Sequence, residues 1–281
     1  MNNKEISLFA NDIRKNVVCA IGKKGGGHIG GSLSICDLIA VLYGDVMKYD
    51  SKNPDWEERD YIVCSKGHAA PALYSALALK GFFLPEWLDE LNRPGTNLPG
   101  HSDRKVPGID ATTGSLGQGL SIACGIAHGL KVQGRGQSVF CITGDGENDE
   151  GQIWEAAAYA ANYNLDNLIM FLDWNKKQID GRNEEVMQLG DLVMKYHAFG
   201  WNSRKVNGHD IEEIRQNIYK ALEVKNGRPT MLLLDTVKGA GISCIERIEN
   251  NHCIGLPENL VKECLDELSF IREKLDKEIC N

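Results

Sequence analysis

The sequence predicts a doubly wound α/β domain, a parallel sheet with helices on both faces. Four short segments, DYIVCS (60–65), SVFCIT (138–143), NLIMFLD (167–173) and TMLLLDT (230–236), are continuously apolar and rich in β-formers, as strands covered on both faces must be. Amphipathic stretches separate them, the strand-helix-strand rhythm of parallel pairing with right-handed crossovers. The chain has 281 residues, 42% hydrophobic and 25% charged, with 8 prolines, the composition of a globular protein. No repeat, low-complexity linker or interior composition break divides it, so residues 1–281 read as a single domain.

Taken in order, Glu5 to Ile21 places Ile6, Phe9, Ile13, Val17 and Ile21 three or four positions apart, one apolar face of a helix. The glycine-rich loop GKKGGGHIGG ends it. Ser34 with Asp37 reads as a capping pair before the apolar run Leu38–Leu42, which predicts a second helix from about Ser34 to Met47. Further helices are expected at Ala70–Lys80, Pro85–Asn92, Leu116–Lys131, Gly151–Tyr163 and Ile211–Glu223, the last with Asp210 as N-cap. From Glu258 to Glu278, Leu260, Cys264, Leu265, Leu268 and Ile271 share one face of an amphipathic terminal helix, expected to pack on this chain or on a partner.

Composition excludes several functions. The formal net charge is −8, from 39 acidic and 31 basic side chains, and binding along nucleic-acid phosphates needs clustered Lys and Arg, so no nucleic-acid partner is expected. The longest stretch without a charged side chain, Ala111–Leu130, holds five glycines plus Thr, Ser and Gln, too polar to cross a bilayer. The N-terminal segment lacks an apolar run beside a small-residue cleavage site, so a cytoplasmic location is expected. Nine cysteines, scattered from Cys19 to Cys280 without a CxxC pair, read as buried reduced thiols.

Of seven histidines, His28, His68, His101 and His209 each follow a glycine, the arrangement by which a loop that bends tightly aims a polar group into a cleft. Asp210 makes His209 an ordinary loop residue beside a helix N-cap. Gly25, Gly27 and Gly30 fit the spacing GxGxxG, but they follow a helix instead of a strand, so the context of a dinucleotide site is absent. The stronger signal is Gly144-Asp145-Gly146 at the end of a buried strand. Ligands of such sheets bind at the carboxyl ends of the strands. Asp145 therefore points a carboxylate into the crevice, and the flanking glycines let a diphosphate approach the backbone. Thirty positions on, Asn175 stands at the end of the next strand. A carboxylate, an amide oxygen and a nearby main-chain carbonyl are hard oxygen donors that complete, with phosphate oxygens and water, an octahedron suited to Mg²⁺. Either residue alone is an ordinary turn residue; the pair in this strand context is not.

Here the sequence closely resembles the N-terminal, diphosphate-binding half of transketolase, a thiamine diphosphate enzyme. The GDG followed by Asn is general to such enzymes, and four further matches narrow it: Gly27-His28-Ile29-Gly30, Ser65-Lys66-Gly67-His68, Pro99-Gly100-His101 and TGSLGQG at 113–119. They occur in the family's order across about residues 10–255.

The resemblance implies roles residue by residue. Asp145, Asn175 and the carbonyl of Lys177 would ligate Mg²⁺, or Ca²⁺ or Mn²⁺ in its place, with Gly146 against the diphosphate. His68 and His252 would lie at the diphosphate, Gly114 and the backbone of Leu116 would line the aminopyrimidine side, and Ile179 would pack on the thiazolium. His28, His101 and His252 would face the sugar, where an imidazole with a pKa near neutrality both donates and accepts protons. Glu150 and Glu155 match family acids at the subunit boundary. Metal, imidazoles and glycine backbone would thus meet the diphosphate without a basic surface. Two departures stand out: Ile29 replaces the usual proline after His28, and His252 is followed by Cys-Ile-Gly-Leu-Pro, with the proline at five residues instead of four. The loop at 243–257 thereby points to a sugar that differs from the usual ones.

Family members carry a second half that holds the acid at the aminopyrimidine and the groups gripping the sugar phosphate, and the sequence contains none of these. The resemblance therefore implies a split enzyme whose pyrimidine-binding C-terminal subunit is a separate polypeptide, in an α2β2 assembly. It would transfer a two-carbon glycolaldehyde unit from a ketose to an aldose. Pentose phosphates, a branched-sugar phosphate and a sulfonated ketose all suit that chemistry. Two other readings are the α subunit of a thiamine diphosphate-dependent 2-oxo acid decarboxylase or dehydrogenase, which shares the GDG and Asn pair but does not need the histidine set, and a non-catalytic assembly partner, for which loss of Asp145 or Asn175 would have spoken.

Overall fold

The computed structural model describes residues 1–279, with side chains to 277. Its helices are α1 (Asn3–Lys24), α2 (Gly30–Leu33), α3 (Cys36–Val41), α4 (Ala70–Leu79), α5 (Gln118–Val132), α6 (Gly151–Asn162), α7 (Asn183–Val186), α8 (Leu192–Ala198), α9 (Ile211–Glu223), α10 (Ser243–Glu246) and α11 (Glu258–Ile279). Its strands are β1 (Gly26–Gly27), β2 (Tyr61–Cys64), β3 (Val139–Gly144), β4 (Leu168–Trp174), β5 (Asn202–Asn207), β6 (Thr230–Asp235) and β7 (Ile254–Gly255). Five strands form one parallel sheet in the order β2-β3-β4-β6-β5, and β1 pairs antiparallel with β7 in a ribbon of its own.

Alternation along the strands builds two cores, because successive side chains leave opposite faces of a sheet. Phe140, Ile142, Ile169, Phe171, Leu232 and Leu234 pack under α1, α3, α4, α9 and α11. Val139, Cys141, Leu168, Met170, Leu172 and Met231 pack under α5, α6 and α8. This is the three-layer architecture expected from the sequence, and all four expected strands form within one residue of their predicted bounds.

Local chemistry sets the element ends. Asn2 caps α1 by accepting from the Glu5 amide (3.0 Å) while Glu5 accepts from the Asn2 amide (2.7 Å), and Gly25 ends the helix at φ +90°. Asp210 caps α9 as expected, accepting from the Glu213 amide at 2.9 Å. The terminal helix α11 lies on α1, with Cys264 and Leu268 buried and Asn11 Nδ2 bonded to the Leu268 carbonyl at 3.2 Å.

Four expectations need correction. The helix foreseen over 34–47 starts two residues later, as α3, and ends in one wide π turn at Leu42–Val46; a separate short turn, α2, precedes it, and α3 has no side-chain cap. Ser34 instead bonds Asp173 at 2.7 Å, and Asp37 pairs with Arg14 at 2.5 Å, so buried partners outcompete the cap. Pro85–Glu90 is a 3-10 turn, not an α-helix. The edge strand β5 was not foreseen, because only Val206 of its six residues is buried and the polar run NSRKVN carries no apolar signal. Among the eight described cysteines, six are buried, but Cys19 is half-buried and Cys253 is exposed; Cys280 lies outside the described residues.

Candidate functional site

The sheet delivers four adjacent strand ends to one place. Ser65–His68 follows β2, Asp145 and Gly146 follow β3, Asn175–Lys177 follows β4, and Thr236–Lys238 follows β6. Between them opens a cleft of about 290 Å³ lined by Lys66, His68, Asp145, Asn175, Lys238 and His252, with Leu116 and Ile179 at its mouth. A larger cavity of about 550 Å³ lies beside Arg59, Arg104 and Asp110, but none of the strand-end residues above lines it.

Asp173, fully buried on β4, organises the floor. Its carboxylate accepts from Lys66 Nζ (2.5 Å), Ser34 Oγ (2.7 Å), Asn175 Nδ2 (2.8 Å) and Thr236 Oγ1 (2.5 Å). The Asn175 amide nitrogen is spent on Asp173, and its oxygen accepts from the Lys177 amide at 3.3 Å with one lone pair remaining. Asp145 accepts from the amides of Gly146 (2.9 Å) and Lys176 (2.6 Å) and from Asn183 Nδ2 (2.9 Å). Burial, and then the charge of Asp173, push its carboxyl up to about 6. The turn that presents Lys177 and Ile179 is closed by the Gln178 amide on the Gly181 carbonyl at 2.7 Å, with Lys176 in the left-handed region at φ +68°. Among the described residues no group of three or more His, Cys, Asp and Glu side chains is placed to hold a metal ion. A cation here would rest on one carboxylate and neutral oxygens, the donor set of Asp145, Asn175 and Lys177.

The histidines converge. His28 lies 5.4 Å from His68, 5.7 Å from His101 and 5.3 Å from His252 between ring centroids, and His68 lies 4.9 Å from His252. The ribbon of β1 and β7 holds two of them together, pairing Gly27 with Ile254 directly beside His28 and close to His252. Burial and nearby positive charge push the imidazoles down: His252 to about 3, His68 well below its ordinary value and His28 in the same direction. The expected near-neutral pKa is thus corrected for His28 and His252, the main cause being burial, with His101, Lys24 and Lys238 adding to it at His28 and Lys238, His28 and Lys66 at His252.

Lys66 and Lys238 are the residues that sequence reasoning missed. Lys66 is 1% exposed. Lys238 Nζ donates to the Lys177 carbonyl at 2.7 Å and lies 3.0 Å from His252 Nδ1; burial leads its shift down to about 8. Both follow strand ends, so the rule that singled out Asp145 and Asn175 applies to them as well. Glu147 was missed too: buried, it accepts from the amides of Gly117 (2.9 Å) and Gly144 (3.0 Å) and from Ser65 Oγ, tying the GDG turn to the start of α5.

The remaining candidates sit at the rim. Gly114 lies against the His101 ring, where an added Cβ would meet Cδ2 at 3.1 Å. Leu116 and Ile179 are 37% and 56% exposed, apolar surfaces bracketing a polar cleft. Glu150 is exposed at the cleft edge before α6, while Glu155 is exposed one turn into that helix and does not line the cleft.

Residues 6–276 match the family model described as "Transketolase, thiamine diphosphate binding domain". The chain is 50% identical over 271 residues to the 6-deoxy-6-sulfo-D-fructose transketolase subunit SqwG of Clostridium sp. (strain MSTE9), covering 95% of this chain and 98% of that one. It is 38% identical over 279 residues to an apulose-4-phosphate transketolase subunit of Phocaeicola vulgatus, covering 99% of each. Its fold superposes on a transketolase from Campylobacter jejuni with a TM-score of 0.90 at 31% identity, covering 96% of this chain but 43% of that one.

Proposed function

The chain belongs to the transketolase family, as its thiamine diphosphate-binding domain, and from that premise we propose that it is the diphosphate-binding subunit of a split enzyme that moves a two-carbon unit from a ketose to an aldose. The observation that carries this is the meeting of His28, His68, His101 and His252 beside Asp145, Asn175 and Lys177 at neighbouring strand ends.

The cleft fits the cofactor on its own structure. Asp145 is a buried carboxylate with no cationic side chain among the described residues hydrogen-bonded to it. The Lys238 ammonium on the Lys177 carbonyl marks that oxygen as a seat for positive charge. At Gly146 an added Cβ would meet Gln178 at 2.9 Å, so the turn keeps bare backbone toward the cleft. Mg²⁺ would be held by Asp145, Asn175 and the Lys177 carbonyl. Thiamine diphosphate, when bound, supplies the electron sink for breaking and forming the carbon–carbon bond. Lys66, Lys238, His68 and His252 would meet the diphosphate, Gly114 and Leu116 would line the aminopyrimidine side, and Ile179 would pack on the thiazolium.

His28, His101 and His252 would face the sugar. His28 and His252, kept neutral by burial and nearby positive charge, would accept a hydroxyl proton and return it at the carbonyl oxygen. Lys66 and Lys238, with their charge offset at the diphosphate, would lower the neighbouring imidazole pKa values less than they do without it. Glu150 and Glu155 are assigned to a subunit boundary.

Relatives named as subunits, and the 43% of a longer transketolase that this chain covers, support a partner that is a separate pyrimidine-binding polypeptide, two copies of each. The ketose is assigned a terminal anion: the 50% identical relative is named for 6-deoxy-6-sulfo-D-fructose and the 38% identical one for apulose 4-phosphate. Assay of the paired polypeptides against sulfonated, phosphorylated and neutral ketoses tests this; equal turnover of the neutral sugar would overturn the anion assignment. Decarboxylation of a 2-oxo acid without transfer to an aldose would favour the dehydrogenase reading, which leaves the histidine cluster unexplained.

A further inference from the structure

His209 belongs to no part of the cleft, yet both of its ring nitrogens are engaged. Nδ1 lies 2.9 Å from Asp37 Oδ2, and Nε2 lies 2.9 Å from the Val237 amide. A carboxylate only accepts and an amide only donates, so Nδ1 carries the proton and Nε2 is the acceptor. Asp37 in turn pairs with Arg14 at 2.5 Å, and Arg14 Nε donates to the Ala240 carbonyl at 3.0 Å. The segment from Thr236 to Gly241 is thus gripped from outside the site at two points, Val237 and Ala240. On the inner side the Gly239 amide bonds the Gly30 carbonyl at 3.0 Å, and Asn251 Nδ2 bonds the Lys238 carbonyl at 2.8 Å. Between these two sets of anchors stands Lys238, its Nζ on the Lys177 carbonyl.

The register of β6 explains why a side chain is needed there. The Thr236 amide still reaches the Trp174 carbonyl, at 3.2 Å, but no strand lies beside Val237 to take the next outward amide. Gly208 lets the chain ahead of His209 pass close to the same segment: an added Cβ would meet Thr236 Cγ2 at 2.3 Å. Backbone proximity and imidazole reach together place one acceptor at the first amide beyond the ladder.

We propose that His209 is a positioning residue for Lys238: the chain Arg14–Asp37–His209 holds the backbone on which Lys238 is carried, and so sets where its ammonium meets the diphosphate. This rests on the reading of Lys238 as a diphosphate contact, and the test separates the two. Full-length chain is titrated with thiamine diphosphate and Mg²⁺ by calorimetry, and its amide exchange is followed by mass spectrometry. K238M alone weakens binding if the reading of the site is right. H209A weakens it about five- to tenfold, the scale of one lost buried hydrogen bond and the freedom it releases. H209Q, whose amide oxygen can still accept from Val237, recovers most of that loss. In the K238M background H209A costs little more, because residues acting through one another are not additive. Exchange rises at 237–241 in H209A while β6 keeps its protection. Unchanged exchange at 237–241 would overturn the proposal, and so would an H209A loss that is the same with and without Lys238. If the wild-type chain binds no cofactor even when paired with a pyrimidine-binding polypeptide, the reading of the site fails, and the exchange result alone decides the tie.

Discussion

At the residue scale, Asp145 shows stability exchanged for function. Its folded-state pKa of about 6 lies above the ordinary carboxylate value, so the metal-free fold prefers the neutral acid. The sign follows: stability from this group is fully present below the unfolded pKa and is lost as pH rises through about 6. D145N removes that pH dependence but turns one of the two accepting oxygens into an NH2 facing N–H donors, so the thermal midpoint of the metal-free chain should fall, and by less at pH 7.5 than at pH 5. The same variant should weaken Mg²⁺-dependent cofactor binding by about 100-fold, the range seen when a metal site loses a supporting group or more. Scanning calorimetry at the two pH values and titration of one preparation check both; a loss of midpoint larger at pH 7.5 than at pH 5 contradicts the reading. Asp145, Asn175 and the histidines were legible because their chemistry is written in spacing relative to strand ends. Asp173, Lys66 and Glu147 were not, since an acid inside NLIMFLD or a lysine before a Gly-His pair acquires meaning only when the buried partners are known.

At the element scale, the ribbon of β1 and β7 explains the glycine run before His28. Gly26 has φ +149°, and an added Cβ would meet the Ile254 carbonyl oxygen at 2.5 Å and Gly255 Cα at 2.9 Å. G26A should cost about 1–3 kcal/mol in urea unfolding through backbone strain and should separate His28 from His252. A wild-type unfolding midpoint with unchanged cofactor affinity would refute that role. The pair of Arg14 on α1 and Asp37 on α3 ties the first helices to the outer face of the site. Burial alone would raise the Asp37 carboxyl, but the Arg14 charge and the bonds from His209 and Arg14 outweigh it and hold it below the usual range. That stability is present above the unfolded pKa and is lost as pH falls through the folded one. D37N should then lose about 3 kcal/mol at pH 7, where Arg14 is left buried and unpaired, with a smaller loss below about pH 4. Urea midpoints measured from pH 3 to 7 test it; a pH-independent difference between variant and wild type goes against the pairing. The helices and central strands were readable because periodicity reports burial directly. The late start of α3 and the edge strand β5 were not, because Ser34 and Asp37 answer to distant partners and β5 has one solvated face.

At the scale of the whole molecule, the two-sided core and the terminal helix lying on α1 place every strand end of the candidate site in one crevice, while Leu116 and Ile179 remain uncovered at its mouth. An apolar rim over a polar, cationic floor is half of an enclosure, and the other half is what the proposed partner would supply. Combining the chain with a pyrimidine-binding partner, and following two-carbon transfer from an anionic ketose to an aldose with thiamine diphosphate and Mg²⁺, tests this most directly. Turnover by the pair is expected, none by this chain alone, and loss of turnover when D145N replaces the wild-type chain; robust transfer by the single chain, or by the D145N pair, would contradict the split site.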